Sequence, residues 1–287
     1  MRKHLRVRQS RKILAAALPV LSVCALAVAQ MNSRPSNAVA EHDPKLSEFQ
    51  VFEFRRYVVK PGERKHFVQY FDAYFPEAFQ QLGAIAMGSF LERGNDTGFT
   101  WIRGFHTMDD RAVANAAFYY GSVWNEHRDT LNNLMTDSDN VLLLRPLNPQ
   151  QAVLILPAVD PVTELNGAQG VIVAVIFAVK SDEIEAFARE AEPIFARYRA
   201  AGAREAGVLR TLDVKNNFPQ LPIRTDGPYL VWLGILHDNE TLERDFIPVT
   251  QQVAGAFSAS VLLRGAPELI VLDPTPRSRM RWLPSWK

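Results

Sequence analysis

Three side chains with the means to do chemistry together recur at every second position: Glu53, Arg55 and Tyr57. Successive residues of a β-strand face opposite sides, so these three share one face. A carboxylate, a guanidinium and a phenol on an apolar surface can anchor the polar end of a ligand. They can equally satisfy one another as a structural ion pair. Neither charge is tolerated alone away from water, so Glu53 and Arg55 are expected to be paired or solvated. Phe99, Trp101, Arg103 and Phe105 share a face in the same way, and Trp101 with Arg103 either extends the pocket or is plain core. Trp124, Asn125, His127 and Arg128 form a denser polar–aromatic group on or after a broken helix. His127 there is a candidate base or haem ligand, or an ordinary surface histidine. The candidate ligand-binding set is therefore Glu53, Arg55, Tyr57, Trp101, Arg103, Trp124 and His127, with no residue assigned a catalytic role.

Other chemistries are excluded by what the 287 residues lack. Cys24 is the only cysteine. It lies in a segment expected to be removed, which leaves no thiolate for a nucleophile, a zinc site or a disulfide. His42, His66, His106, His127 and His237 show neither H-x-x-H nor H-E-x-x-H spacing, so no dedicated metal site is expected. The nucleotide-cradling glycine motifs and the G-x-S-x-G elbow are absent. Ser138-Asp139-Asn140 matches a β-lactamase element without its S-x-x-K partner. Asp137 and Asp139 read as a polar turn before a buried strand. No cofactor is expected.

The chain is 47% hydrophobic and 22% charged, the values of a globular protein. Its balance of 32 basic and 31 acidic residues hides an asymmetry. Six of the basic residues fall in the first 29 positions, which hold no acid, leaving 26 against 31 in the remainder. A mildly acidic body has no general attraction for phosphate backbones, so nucleic acid is not an expected partner.

Those six, Arg2, Lys3, Arg6, Arg8, Arg11 and Lys12, precede an apolar run from Ile13 to Ala29 that ends in Ala27-Val28-Ala29. A positive segment, an apolar segment and small residues at −3 and −1 read as a secretory signal peptide over 1–29. The mature protein is then expected to be periplasmic or secreted. An uncleaved membrane anchor is the main competing reading, followed by a mitochondrial targeting segment; Val23 before Cys24 argues against a lipoprotein box. No second apolar run approaches the roughly 20 residues that span a bilayer. Residues 30–47, rich in Asn, Ser and Pro, read as a flexible linker.

The elements that must position the candidate residues begin near Gln50. A strand is expected over 51–60, ended by Pro61-Gly62. A helix over 63–82 places Phe67, Phe71, Phe75 and Phe79 on one face, with a kink or break at Pro76 and a stop at Gly83. Strands over 85–92 and 99–106 flank a turn at Gly94-Asn95-Asp96. Thr107 to Asp110 has the spacing of a capping box, with Asp in place of Glu. A helix interrupted near Gly121-Ser122 runs to about Met135, and a strand follows over 140–145. This βαββαβ order recurs: strand 171–180, helix 184–201, strand 207–214, loop 215–228, strand 229–237, helix 239–258 and strand 268–273. Trp101-Ile102-Arg103-Gly104-Phe105 aligns by letters with Val231-Trp232-Leu233-Gly234-Ile235, and 141–146 aligns with 269–274. The reading is a tandem duplication, 48–146 and 169–275, with a linker at 147–168 and a basic, Trp-containing tail at 276–287. The tail is a terminal strap, a disordered end or a membrane-surface contact.

Each repeat is expected to form a four-stranded antiparallel sheet with helices on one face. The other faces are expected to pack together around a barrel-like core, because bare apolar sheets of that size seek a partner. The α+β fold is thus two ferredoxin-like repeats packed sheet to sheet, a monomer with pseudo-dimeric repeats. Further oligomerisation stays open. The opening strand of the second repeat carries no charge, so any site belongs mainly to the first repeat and the second serves as its lid.

Phe52-Glu53-Phe54-Arg55-Arg56-Tyr57-Val58-Val59-Lys60-Pro61-Gly62 resembles the opening strand of the NIPSNAP family, within the dimeric α+β barrel superfamily. Pro76, Gly83 and the Thr107–Arg111 junction sit where that family has them. The resemblance covers 50–146 and extends to the second repeat in pattern only. The third strand departs from it, with Arg103 where the family's aromatic is expected. The resemblance implies the ferredoxin-like repeat but not a reaction, because the superfamily includes cofactor-free monooxygenases, haem-linked enzymes and isomerases. Strand one lacks the Asn of the haem-degrading branch. Two functions follow. One is an exported barrel that binds a small apolar or amphipathic ligand, or a protein partner, in the first repeat. The other is a cofactor-independent monooxygenase or isomerase.

Overall fold

The computed structural model describes residues 48–148 and 153–286. The first repeat comprises β1 (Val51–Val59), α1 (Arg64–Tyr74), α2 (Pro76–Gln81), β2 (Ile85–Glu92), β3 (Gly98–Phe105), α3 (Met108–Tyr119), α4 (Ser122–Leu134) and β4 (Met135–Pro146). The second comprises β5 (Val171–Ala178), α5 (Ile184–Ala200), β6 (Arg204–Thr211), β7 (Tyr229–Leu236), α6 (Asn239–Thr241), a π-helical turn (Leu242–Phe246), α7 (Ile247–Ala259) and β8 (Glu268–Pro274).

Local chemistry explains the boundaries. Pro76 breaks the first helix and starts α2, a position where its missing N–H costs nothing. Gly62 and Gly83 take φ of 82° and 85°, the left-handed conformation that glycine adopts without strain. Thr107 Oγ1 accepts from the Asp110 N–H at 3.1 Å, and the Asp110 carboxylate takes the Thr107 hydroxyl. β4 begins directly at Met135 rather than at Asn140, because its first residues still pair with Val58 and Val59 through register shifts. The long helix expected after Asn239 is divided, with Pro248 in the first turn of α7.

The strands close into one antiparallel barrel in the order β1-β3-β2-β8-β5-β7-β6-β4. The repeats therefore meet at their edges as well as across their faces. Phe90 to Glu92 pair with Pro274 to Leu272, and Leu144 to Pro146 pair with Thr211 to Leu209. Closure leaves neither sheet with an unpaired edge. Phe52, Phe54, Ile102, Leu142 and Leu144 of one repeat fill the interior against Ile172, Ala174, Val231, Leu233 and Ile235 of the other. The helices cover the outside.

The barrel corrects two sequence expectations. Phe52 and Phe54 point into the barrel, so the alternate residues Glu53, Arg55 and Tyr57 point away from it, toward the helices. The face expected to line the space between the repeats lies instead under the helical layer of its own repeat. The letter alignment of the third strands also slips by one. Glu53 pairs with Arg103 and Trp101 with Arg55 in β1–β3, while Val173 pairs with Gly234 and Val175 with Trp232 in β5–β7. Trp101 therefore corresponds to Trp232, and Arg103 to Gly234. The reason is steric: a Cβ at Gly234 would lie 2.4 Å from the Trp232 ring, which covers the place that Arg103 fills in repeat one. Glu53, Arg55 and Tyr57 correspond to Val173, Val175 and Phe177, all apolar.

One end of the barrel is covered by two connecting segments. Val153, Leu154 and Leu156 join the interior core, with Leu154 N–H donating to the Ala206 carbonyl at 2.7 Å. The last residues form a strap: Met280 N–H donates to the Met87 carbonyl at 2.8 Å, and Trp282 N–H to the Gln169 carbonyl at 2.8 Å. Buried Arg281 fixes the strap, donating to the Glu164 carboxylate and to the carbonyls of Pro157, Ala158 and Arg279. Arg281→Ala removes the buried guanidinium that ties these part-buried acceptors together. It is expected to cost on the order of 2 kcal/mol, read as a lower midpoint in urea unfolding.

Candidate functional site

Beneath the helices of the first repeat, one carboxylate holds three guanidinium groups. Glu53 Oε2 accepts from Arg55 Nη1 and from Arg103 Nε, each at 2.7 Å, and Oε1 accepts from Arg111 Nε at 2.7 Å. Glu53, Arg55 and Arg103 come from adjacent strands, where the register sets Glu53 opposite Arg103. Arg111 comes from the first turns of α3, which crosses above. All four residues are buried. Burial raises the carboxyl pKa of Glu53, but the three arginines outweigh it and hold the pKa well below the ordinary value of 4.5. Burial likewise opposes the charge of Arg55, yet Tyr57 and Glu53 raise its pKa. For Arg111 burial wins and the pKa falls, although a guanidinium stays protonated at any physiological pH.

One negative charge against three positive ones leaves the cluster with an excess of two. No second carboxylate pairs with these arginines among the described residues. Several donors also lack acceptors. Arg103 Nη1, Arg111 Nη2 and Trp101 Nε1 are buried without a hydrogen bond, as is the whole amide of Asn115. Arg103 Nη2 lies 2.6 Å from Glu53 Oε2 but is not aligned to donate to it.

A cavity of about 100 Å³ opens beside this cluster. Arg55, Tyr57 and Trp101 form its floor. Phe71, Phe75, Phe79, Phe118 and Tyr119 form its walls, and its rim carries Trp124, Asn132, Met135, Ser138 and Leu221. The phenylalanines come from the repeating face of α1 and α2 and from α3, so the apolar periodicity that docks the helices also walls the pocket. Arg55 Nε donates to Tyr57 Oη at 2.8 Å, which leaves the phenol proton free for another acceptor. Burial raises the pKa of Tyr119, countered by Arg103, so its phenol stays neutral and does not offset the positive excess.

The second repeat closes over this site with the long loop between β6 and β7. Asn216 and Asn217 accept from Arg111 Nη1 at 3.1 and 2.7 Å through their side-chain oxygens. Phe218 packs on Tyr119 and Tyr120, with ring centroids 5.9 and 6.3 Å apart, and Leu221 reaches the pocket rim.

The structure thus gathers Arg55, Tyr57 and Trp101 at the pocket floor, Trp124 at its rim, and Glu53 and Arg103 behind its wall. His127 stands apart. Its Nδ1 lies 2.7 Å from Tyr70 Oη, its ring stacks on Tyr74 with centroids 3.9 Å apart, and Phe75 separates it from the cavity. Sequence reasoning missed Arg111, Asn115 and Tyr119. The signal was their spacing, three polar groups on the face of α3 that also carries buried Ala114 and Phe118. The loop residues Asn216 to Leu221 gave no signal, because nothing local says which surface a loop covers. Among the described residues, no three His, Cys, Asp or Glu gather to hold a metal ion, and no helix is long and apolar enough to cross a membrane. A larger groove of about 500 Å³ lies beside α2 and the strap. Its cations are already engaged, Arg277 with Glu77 and Arg279 with Gln80.

Comparison with solved structures places the barrel. An anthrone oxidase-like protein superposes with a TM-score of 0.50 at 11% identity, over 84% of this chain and 98% of its own. The fold is that of the dimeric α+β barrels. A protein described as a monooxygenase from Lactobacillus acidophilus matches over 79% of this chain and 94% of its own, with 12% identity and a TM-score of 0.48. A NIPSNAP family protein from Agrobacterium tumefaciens covers 34% of this chain and 94% of its own, with 17% identity and a TM-score of 0.32. No family model matches the chain, and no curated protein does.

Glu53→Gln removes the charge that compensates three buried cations. It is expected to destabilise the fold by about 3–5 kcal/mol in urea unfolding. Because the folded-state pKa of Glu53 is depressed, its contribution is complete above its ordinary value of 4.5 and is lost as the pH falls below it. The acid-induced loss of stability is therefore expected to be shallower in the variant than in the wild type.

Proposed function

We propose that the protein binds a small aromatic or amphipathic molecule in the pocket between the sheet and helices of its first repeat. The ring lies among Phe75, Phe79, Phe118 and Trp101, and its polar end meets Arg55. The observation that carries this reading is the single guanidinium at the floor of an aromatic-walled cavity. Apolar walls with few, well-placed polar groups are the usual make-up of a ligand site. At about 100 Å³ the cavity is smaller than the roughly 150 Å³ that accepts benzene. The cavity then takes the polar end and the adjoining edge of one ring, and the rest of the molecule lies at the open rim.

The Arg55–Tyr57 hydrogen bond supports a second reading. A cation and a free phenol proton in a water-poor pocket would stabilise a phenolate or enolate of the bound molecule. Stabilising such an anion is one requirement of cofactor-independent oxidation by dioxygen, or of isomerisation. No Asp, Glu or His among the described residues lines the pocket, so the proton of the bound molecule passes to solvent at the rim. Titration with phenol, benzyl alcohol and benzoate, followed by tryptophan fluorescence, tests the pocket. At least one is expected to bind, and Met135→Trp at the rim is expected to weaken it at least about tenfold while the protein stays folded. Wild-type protein that takes up none of them, or a variant that binds equally well, would end the pocket reading. Dioxygen uptake with a quinol, abolished in Tyr57→Phe, separates the catalytic reading from simple binding.

The leader reading joins this proposal. Residues 1–29 lie outside the described residues, and we propose that they direct export and are removed. The intact mass of the protein recovered from the exported fraction is expected to correspond to a chain that begins at Gln30. A full-length mass there would favour the anchor instead.

A further inference from the structure

Three buried arginines share the Glu53 carboxylate, and the two positive charges in excess lie directly behind the pocket wall. Arg103 stands 5.1 Å from the Trp101 ring centroid and 5.8 Å from that of Tyr119, both of which line the cavity. Arg55 reaches the cavity itself and lies 5.8 Å from the Trp101 centroid. The aromatic faces relieve part of the cationic charge but cannot neutralise it, because a quadrupole carries no net charge. Arg55 spends Nε on Tyr57 and Nη1 on Glu53. Its Nη2 makes no hydrogen bond to any described residue.

A structural role for the cluster alone would be served by matched charges. Leaving an excess of two, together with unbonded Arg103 Nη1, Arg111 Nη2 and Trp101 Nε1, is costly in an interior where charge is poorly screened. The second repeat shows that the fold does not require it, since Val173, Val175 and Gly234 stand where Glu53, Arg55 and Arg103 do. An anion in the pocket would offset the charge excess, although Arg103 and Arg111 do not line the cavity.

Resting on the pocket reading above, we propose that the ligand is a small aromatic acid, bound as its anion with the anionic oxygens on Arg55. The aromatic walls take the ring, and the uncompensated guanidinium charge selects the carboxylate over a neutral group of the same shape. Arg103 and Arg111 act as positioning residues: they hold Glu53 and thereby Arg55, and they add to the field without touching the ligand.

Calorimetric titration of the wild-type protein in low-salt, chloride-free buffer compares benzoate with benzamide, a neutral probe of nearly the same shape. Benzoate is expected to bind at least about tenfold more tightly, as charge-assisted hydrogen bonds exceed neutral ones. Arg55→Gln is expected to remove that preference, and Arg55→Lys to retain part of it. Equal affinities for the two probes, or tighter binding of benzamide, overturn the anion inference and leave the pocket reading intact. Binding of neither overturns the anion inference, and the pocket reading falls with it only if phenol and benzyl alcohol also fail to bind. The wild-type comparison decides the matter even if the Gln variant does not fold.

Discussion

The first repeat is organised around the four-way contact of Glu53 with Arg55, Arg103 and Arg111. Each arginine belongs to a different segment: the strand that carries Glu53, the neighbouring strand and the crossing helix. A carboxylate offers about four lone-pair sites, and here they fasten β1, β3 and α3 at one buried point. Because the cluster sits in a low dielectric, loss of the acid would leave three unpaired cations rather than merely remove a bond. That constraint fixes where α3 lies. The position of α3 in turn sets Phe118 and Tyr119 as walls of the adjoining cavity.

The two repeats share a frame and divide its uses. In the second, Val173, Val175 and Phe177 replace the ionisable trio, and Trp232 lies over Gly234 in place of an arginine. The result is an apolar layer under α5 and α7 that needs no compensation. In the first, the same layer holds ions, and the aromatic side chains of α1 and α2 crowd around them. The second repeat still contributes to the site, through the β6–β7 loop that supplies Asn216 and Asn217 to Arg111 and Leu221 to the rim. Site and cover therefore come from different repeats, joined by barrel closure.

Closure also accounts for the ends of the chain segments. The connection between repeats and the C-terminal strap pack Leu154, Leu156 and Met280 into one mouth of the barrel, where interior side chains would otherwise meet water. Arg281 reaches back to carbonyls of that same connection, so the two segments hold each other in place.

The sequence by itself determined the elements. Period-two and period-3.6 patterns, Pro76, Gly83 and the Thr107 cap are local signals, and the duplicated βαββαβ order followed from them. It also placed Glu53, Arg55 and Tyr57 on a common face, since alternation is a property of a single strand. Only the tertiary structure decided which way that face points, because both faces of each sheet are apolar enough to be buried and nothing local distinguishes barrel from helices. The one-residue slip between the third strands has the same origin: letters matched at Gly104 and Gly234, whereas strand register follows hydrogen bonds and the room that the Trp232 ring requires. Arg111 and the covering loop are distant in sequence from Glu53, so the contact of Arg111 with Glu53, and of Asn216 and Asn217 with Arg111, is a product of packing alone.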